Sequence, residues 1–374
     1  MQSLIRNRWF PWVLALVMLC AGCSVPLAAR KPMQSWAYAG WWMPLTEQGI
    51  KDGGFDRLVY FEIQIGGDGG IQNANGWPAR QTALRQLSRT LDIPLDLTLT
   101  IKDSGTFTEL FSNPESVERL VETSRTLVDD DDVSGLHLDF EFYEQVPPET
   151  LAALRQYMDR LGTMLHGGDR HQILSVFVPT GGPPVHDGAG LRNADWVVMQ
   201  AYDSHWLTSQ TAGPIAPLDG PEGVTWAKVA DQAIALGVPK DRILLSYPLY
   251  AYEWPMKEPN PRGVTSAAGL VATLEQLPGD AGSSRIFSVA ERVAEYGCTH
   301  DSLSGSSYYQ LPHADSWITG WYDGMNSLRL RTDFLQEHAL GGMAFFIVGY
   351  DGYALTSAYN AARKGIAPIP RTKC

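Results

Sequence analysis

Residues 134–143 read Ser-Gly-Leu-His-Leu-Asp-Phe-Glu-Phe-Tyr and set two carboxylates two positions apart. As a β-strand, the run turns His137, Asp139 and Glu141 to one face and Leu136, Leu138, Phe140 and Phe142 to the other. Carboxylates that share a face away from water repel each other, and desolvation adds to that repulsion. Both effects raise one pKa, so that a carboxyl group can hold and donate a proton near neutral pH. A strand at the protein surface would leave the same acidic face solvated. The elements around the strand decide between the two.

Strand-like runs recur eight times: Trp36–Trp42, Arg57–Ile65, Asp96–Ile101, Gly135–Phe142, Ile173–Pro179, Trp196–Asp203, Ile243–Tyr252 and Gly342–Asp351. Helix-like segments fill most of the intervals. Pro114–Val128 follows a Ser112-Asn113 cap and repeats Val117, Leu120, Val121 and Leu127 at helical spacing. Leu151–Leu165, Trp226–Leu236 and Ser327–His338 read the same way. Alternating strands and helices imply parallel pairing, and eight units close an α/β (β/α)8 TIM barrel with both faces of each strand inside. Catalytic groups of that fold sit at the carboxyl ends of strands. Glu141 falls near the end of strand four, and Tyr202 and Asp203 end strand six.

Composition agrees with one large core: 44% of residues are hydrophobic and 10% aromatic. The stretch between strands seven and eight is too long for one helix, so an inserted subdomain or long loop is expected within about 253–325 of a single 35–374 barrel. A formal net charge of −12 excludes nucleic acid as a natural partner. The acidic run Asp129–Asp132 precedes strand four, away from the catalytic end, and reads as a solvated turn. No metal-spaced His/Glu pair, dinucleotide glycine motif or GxSxG elbow is present, so neither a metal nor a cofactor is expected.

Arg6 and Arg8 precede an apolar stretch, Trp9–Ala21, that has the form of a secretory leader and is short for a membrane span. It ends in Cys20-Ala21-Gly22-Cys23-Ser24, which resembles a bacterial lipoprotein cleavage site with Cys20 at the usual Leu position. The expectation is a signal peptide over 1–22, lipidation at Cys23 and a tether over 23–34, with Ser24 resembling the sorting residue of outer-membrane lipoproteins. That would anchor a monomeric barrel by lipid in the bacterial cell envelope, at the outer membrane. Cys298 and Cys374 remain, either bridged or as two free thiols.

The chain resembles family 18 of the glycoside hydrolases, the chitinase-like group. That family's strand-four signature, Asp-Gly-x-Asp-x-Asp-x-Glu, aligns with Ser134-Gly135-Leu136-His137-Leu138-Asp139-Phe140-Glu141. Its strand-six Met-x-Tyr-Asp is similar to Gln200-Ala201-Tyr202-Asp203. Its strand-seven Pro-x-Tyr-Gly is similar to Pro248-Leu249-Tyr250-Ala251. Its strand-eight region resembles Trp321-Tyr322-Asp323 with Ser327, then Leu340-Gly341-Gly342-Met343.

The resemblance implies a retaining, substrate-assisted cleavage of a β-linked polysaccharide containing N-acetylhexosamine, such as peptidoglycan, an exopolysaccharide or a chitin-like oligomer. Glu141 would be the acid. Asp139 would orient the 2-acetamido group that acts as nucleophile, and Tyr202 would bind the acetamido carbonyl. Asp203, Gln200, Tyr250, Phe346 and His137 would line the substrate site. The departures are Ser134 and His137, which replace two acids of the motif, and Phe346, which replaces a floor tryptophan. A protonated His137 would hold Asp139 ionised. Trp41, Trp42, Trp77, Trp206 and Trp254 fall near strand ends or the loops after them, where stacking surfaces would compensate for Phe346. A glycan-binding barrel without catalysis is the alternative function.

Overall fold

A computed structural model describes residues 32–129, 131–276 and 288–374. Eight parallel strands among these residues close the barrel: Gln34–Gly40, Arg57–Ile65, Leu95–Ile101, Gly135–Phe140, Ile173–Val178, Trp196–Met199, Ile243–Pro248 and Gly342–Phe346. We call them strands one to eight. Each pairs with its sequence neighbours, and strand eight returns to strand one, so that no edge stays open. A short antiparallel strand, Ile71–Asn73, extends the end of strand two.

The helices form where local signals place them. Asn113 accepts a hydrogen bond from the Glu115 backbone N–H at 3.0 Å, and Pro114 occupies the first turn of the helix Pro114–Val128. Thr225 caps Trp226–Ala235 through the Lys228 N–H. Further helices cover Pro148–His166 and Met325–His338. Trp77–Leu91, Ser104–Ser112 and Ala354–Arg363 are helical as well, although sequence periodicity does not single them out.

Both faces of strand four are inside. Leu136, Leu138 and Phe140 are fully buried, and Phe142 nearly so. Phe140 and Phe142 pack on Phe107 of the Ser104–Ser112 helix with ring centroids 6.3 and 4.7 Å away. The register sets Thr98 beside His137 and Thr100 beside Asp139 on strand three, and Ser175 beside His137 on strand five.

The chain leaves strand seven at Pro248 rather than continuing to Tyr252. Tyr250–Met256 opens a five-stranded antiparallel sheet, ordered Leu270–Thr273, Tyr250–Met256, Ser316–Tyr322, Ser306–His313, Thr299–Asp301. Its last long strand runs into Asp323, whose carboxylate forms a fully buried ion pair with Arg331 at 2.8 Å. Arg331 also donates to the Gly305 carbonyl at 2.8 Å and the Ser306 hydroxyl at 3.1 Å. The Trp321-Tyr322-Asp323 motif therefore holds the inserted sheet to the helix Met325–His338. Cys298 and Cys374, whose pairing the sequence leaves open, form a disulfide that joins residues 76 apart. No helix among the described residues is long and apolar enough to cross a membrane. Cys23, the expected lipidation site, lies outside them.

Candidate active site

Asp139 sits on the last inward position of strand four, 6% exposed. Glu141 lies just beyond, its backbone N–H bonded to the Ile101 carbonyl at 2.8 Å, which holds it at the carboxyl end of the barrel. Strand six delivers its residues to the same end. The Gln200 side-chain oxygen accepts from the Thr180 N–H at 2.9 Å, and its amide N–H is aimed at Glu141 Oε1 from 3.4 Å. Glu141, Gln200, Tyr202, Asp203, Tyr250 and Phe346 line a single pocket of about 290 Å³, together with Trp42 and Tyr350. That pocket brings together residues from strands four, six and eight and from the inserted sheet.

Burial sets the electrostatics. Removal from water pushes the Asp139 carboxyl well above its ordinary pKa, and the nearby Glu141 and Glu62 carboxylates push it further. Both effects favour the protonated form of Asp139. Asp203 is raised to about 6 by burial, against the stabilising bonds from Tyr250 at 2.6 Å and Tyr252 at 3.2 Å. It adopts a left-handed backbone (φ 59°), which aspartate tolerates better than most residues. Burial, then Glu141 and Asp203, drive the Tyr202 hydroxyl far above the usual phenol range, so it is a neutral donor. Phe346 stacks on Tyr202 with centroids 5.9 Å apart and closes the pocket floor.

His137 does not join them. It is fully buried below the pocket, with Nε2 2.8 Å from the Tyr38 hydroxyl and Nδ1 2.8 Å from Ser175 Oγ. Burial lowers its pKa to about 3, so the ring is neutral, one nitrogen donating and the other accepting. Its expected contact with substrate is therefore corrected: His137 is fully buried and does not line the pocket, and Tyr38 packs edge-on against both the His137 and Phe346 rings, with centroids 5.4 and 5.6 Å away. It carries no charge to ionise Asp139.

The tryptophans divide. Trp41, Trp42 and Trp206 are exposed by 40%, 37% and 50%, and Trp42 is anchored by its N–H on the Tyr350 hydroxyl at 2.8 Å. Trp77 and Trp254 are buried and offer no stacking surface: Trp77 lies against Tyr60, and Trp254 donates to the Trp206 carbonyl.

Two neighbours of the acids go unnoticed in the sequence. The exposed Tyr143 donates its hydroxyl proton to Glu141 Oε1 at 2.7 Å. Glu62, on strand two, is 3% exposed and pairs with Lys102 Nζ at 2.6 Å. Tyr143 continues the alternation of strand four, and Glu62 is an acid inside the apolar run Leu58–Ile63; these were the available signals.

The closed parallel barrel gathers its carboxylates and phenols at the carboxyl ends of its strands, where this fold carries its functional sites. The pattern of glycosyl hydrolases family 18 matches residues 56–351, and the chain belongs to that family. Among curated proteins it is 20% identical over 292 residues to an endochitinase of Brugia malayi, covering 75% of this chain and 57% of that one. It is 28% identical over 163 residues to Nod factor hydrolase protein 1 of Medicago truncatula, covering 43% and 40%. The chain thus spans about half the length of these curated relatives. A GH18 chitinase of Cycas revoluta in complex with (GlcNAc)3 superposes with a TM-score of 0.72 at 20% identity, covering 89% of this chain and all of that one. The spore cortex-lytic enzyme SleL of Bacillus megaterium gives 0.67 at 16%, covering 88% and 74%. At these identities the superpositions show a shared fold.

Proposed function

We propose that this protein is a retaining glycosidase that cleaves a β-linked glycan containing N-acetylhexosamine, with Glu141 as the acid. The observation that carries the reading is the pocket that Glu141 lines together with Gln200, Tyr202 and Asp203, with the buried Asp139 two residues before Glu141 on strand four. Glu141 passes its proton to the glycosidic oxygen as the acetamido oxygen of the same sugar attacks the anomeric carbon. Tyr202 donates to the acetamido group and holds it for attack. Asp139 keeps its proton and donates it as a hydrogen bond to the newly ionised Glu141, so that the single negative charge of the pair lies beside the positive ring intermediate. Water then opens that ring, with Glu141 taking a proton back. Asp203, Tyr250 and Gln200 fix the sugar, and Phe346 is the floor it rests on.

Peptidoglycan, exopolysaccharide and chitin-like chains all present that sugar. Reducing-end release from N-acetylated and deacetylated versions of each identifies the substrate. Glu141→Gln keeps the shape and removes the acid, and should lower the rate on the order of 10²–10⁴-fold with glycan binding retained. Undiminished turnover in that variant would overturn the assignment. We also propose attachment to the bacterial envelope, at the outer membrane, through a lipid on Cys23. Cys23→Ser should move the protein from the membrane to the soluble fraction, and unchanged fractionation would rule the anchor out.

A further inference from the structure

We propose that the Glu62–Lys102 pair, entering from strands two and three, is the charge partner of Asp139 and determines where the Asp139 proton resides. This rests on the glycosidase reading for its consequence, but not for its test. The strand-four motif supplies no acid before Asp139 here. His137 occupies that place as a neutral ring, and both its nitrogens are committed to Tyr38 and Ser175. The inner wall on the other side of Asp139 is different. Glu62 Oε2, Thr98 Oγ1, Thr100 Oγ1 and Asp139 Oδ1 are all buried, and none has a hydrogen-bond partner among the described residues. They lie on three adjacent strands, and Thr100 is the register partner of Asp139.

The other oxygen of Glu62 collects donors. Lys102 Nζ lies 2.6 Å from Oε1, Asn75 Nδ2 3.3 Å and Gln64 Nε2 3.4 Å. Lys102 itself is half exposed and spans from the pair to solvent over the Phe61 ring. The groups that face Asp139 can be counted by element. Strand one contributes the neutral Tyr38, strand two Glu62, strand three Lys102, strand four Glu141 and neutral His137, and strand six neutral Tyr202. Among the described residues, Glu62 is the carboxylate outside strand four that acts most on Asp139, and Lys102 is the cation that acts most on it. Glu62 favours a proton on Asp139, and Lys102 opposes it.

Opposite shifts are the signature of this role, because damage to packing has no reason to produce them. The Asp139 titration is followed by the side-chain carboxyl ¹³C resonance of aspartate-labelled protein, assigned by its loss in Asp139→Asn. Glu62→Gln should lower the midpoint by ~0.5–1 pH unit, and Glu62→Asp should restore most of it. Adding Lys102→Met to Glu62→Gln should move the midpoint back up. Lys102→Met alone keeps the aliphatic stem but leaves the buried Glu62 without its cation, so it is followed at a temperature where its folded spectrum is intact; there it should raise the pH at which the last of the two carboxyls ionises. That measurement stands if Glu62→Gln does not fold. An unmoved midpoint in these variants, or shifts of the same sign, overturns the proposal. No turnover is needed, so an inactive barrel with these shifts would refute the glycosidase reading and leave the charge partnership intact.

Discussion

Two buried side chains make stability respond to pH in opposite directions. His137 has a folded pKa of about 3 against an ordinary value of 6.5. The unfolded chain therefore binds its proton first as pH falls, and the stability this ring confers is full above pH 6.5 and drains away toward pH 3. The whole span is worth on the order of 5 kcal/mol. Asp203 runs the other way: its pKa is raised to about 6, so its contribution is full below pH 4 and is lost as pH rises to 6. His137→Asn should therefore flatten the acid side of the stability curve between pH 6.5 and 4, and Asp203→Asn should flatten the fall between pH 4 and 6. Urea unfolding at a series of pH values measures both, and parallel curves for wild type and His137→Asn would contradict the neutral assignment. Asp139 and Glu141 were legible in the sequence because strand alternation fixes their side, and Tyr202, Asp203 and Tyr250 through the resemblance of their motifs, whereas Tyr252 and Tyr350, which also line the pocket, were not. The state of His137 was not: spacing places the ring, but the hydroxyls that satisfy it come from 99 and 38 residues away.

Among the elements, the first strand of the inserted sheet matters most to the site. Its alternation turns Tyr250, Tyr252 and Trp254 to one side, where two hydroxyls hold Asp203 and the indole holds the loop after it. The periodicity of Ile243–Tyr252 reads as one continuous strand, because a break at Pro248 leaves the alternation of apolar residues unchanged. Tyr250→Phe with Tyr252→Phe should leave Asp203 buried without its donors. We expect weaker substrate binding and a further rise of the Asp203 pKa above about 6, read from the pH dependence of glycan affinity. The opposite end of the sheet depends on Arg331. Arg331→Met strands the buried Asp323 charge and should destabilise by ~3–5 kcal/mol in denaturant titration. A loss under 1 kcal/mol would mean that Asp323 finds another partner.

Across the whole molecule, the barrel was readable because eight alternating runs leave few topologies open, and the helices missed were those with weak caps or mixed periodicity. Trp77–Leu91, for example, starts after Gly76 with no side-chain cap. The disulfide was undecided because two cysteines show nothing of their separation in space. It ties the end of the chain to the inserted sheet across 76 residues, and a loop of that size is worth about 4 kcal/mol of chain entropy. Reduction or Cys374→Ser should lower the melting temperature by several degrees, with the pocket unchanged. Identical melting with and without reductant would show that the bridge does not constrain the unfolded chain.

The line of hydroxyl, imidazole and hydroxyl from Tyr38 through His137 to Ser175 crosses the interior beneath the pocket. A ring proton held there meets heavy water only when the barrel itself opens. Its nuclear resonance should stand apart from the amide region and outlast most other exchangeable signals after transfer to deuterium oxide. The protein thus carries a built-in clock for barrel opening, readable without labels, ligand or substrate, and a signal gone within the first spectrum would show that the strands part far more often than their pairing implies.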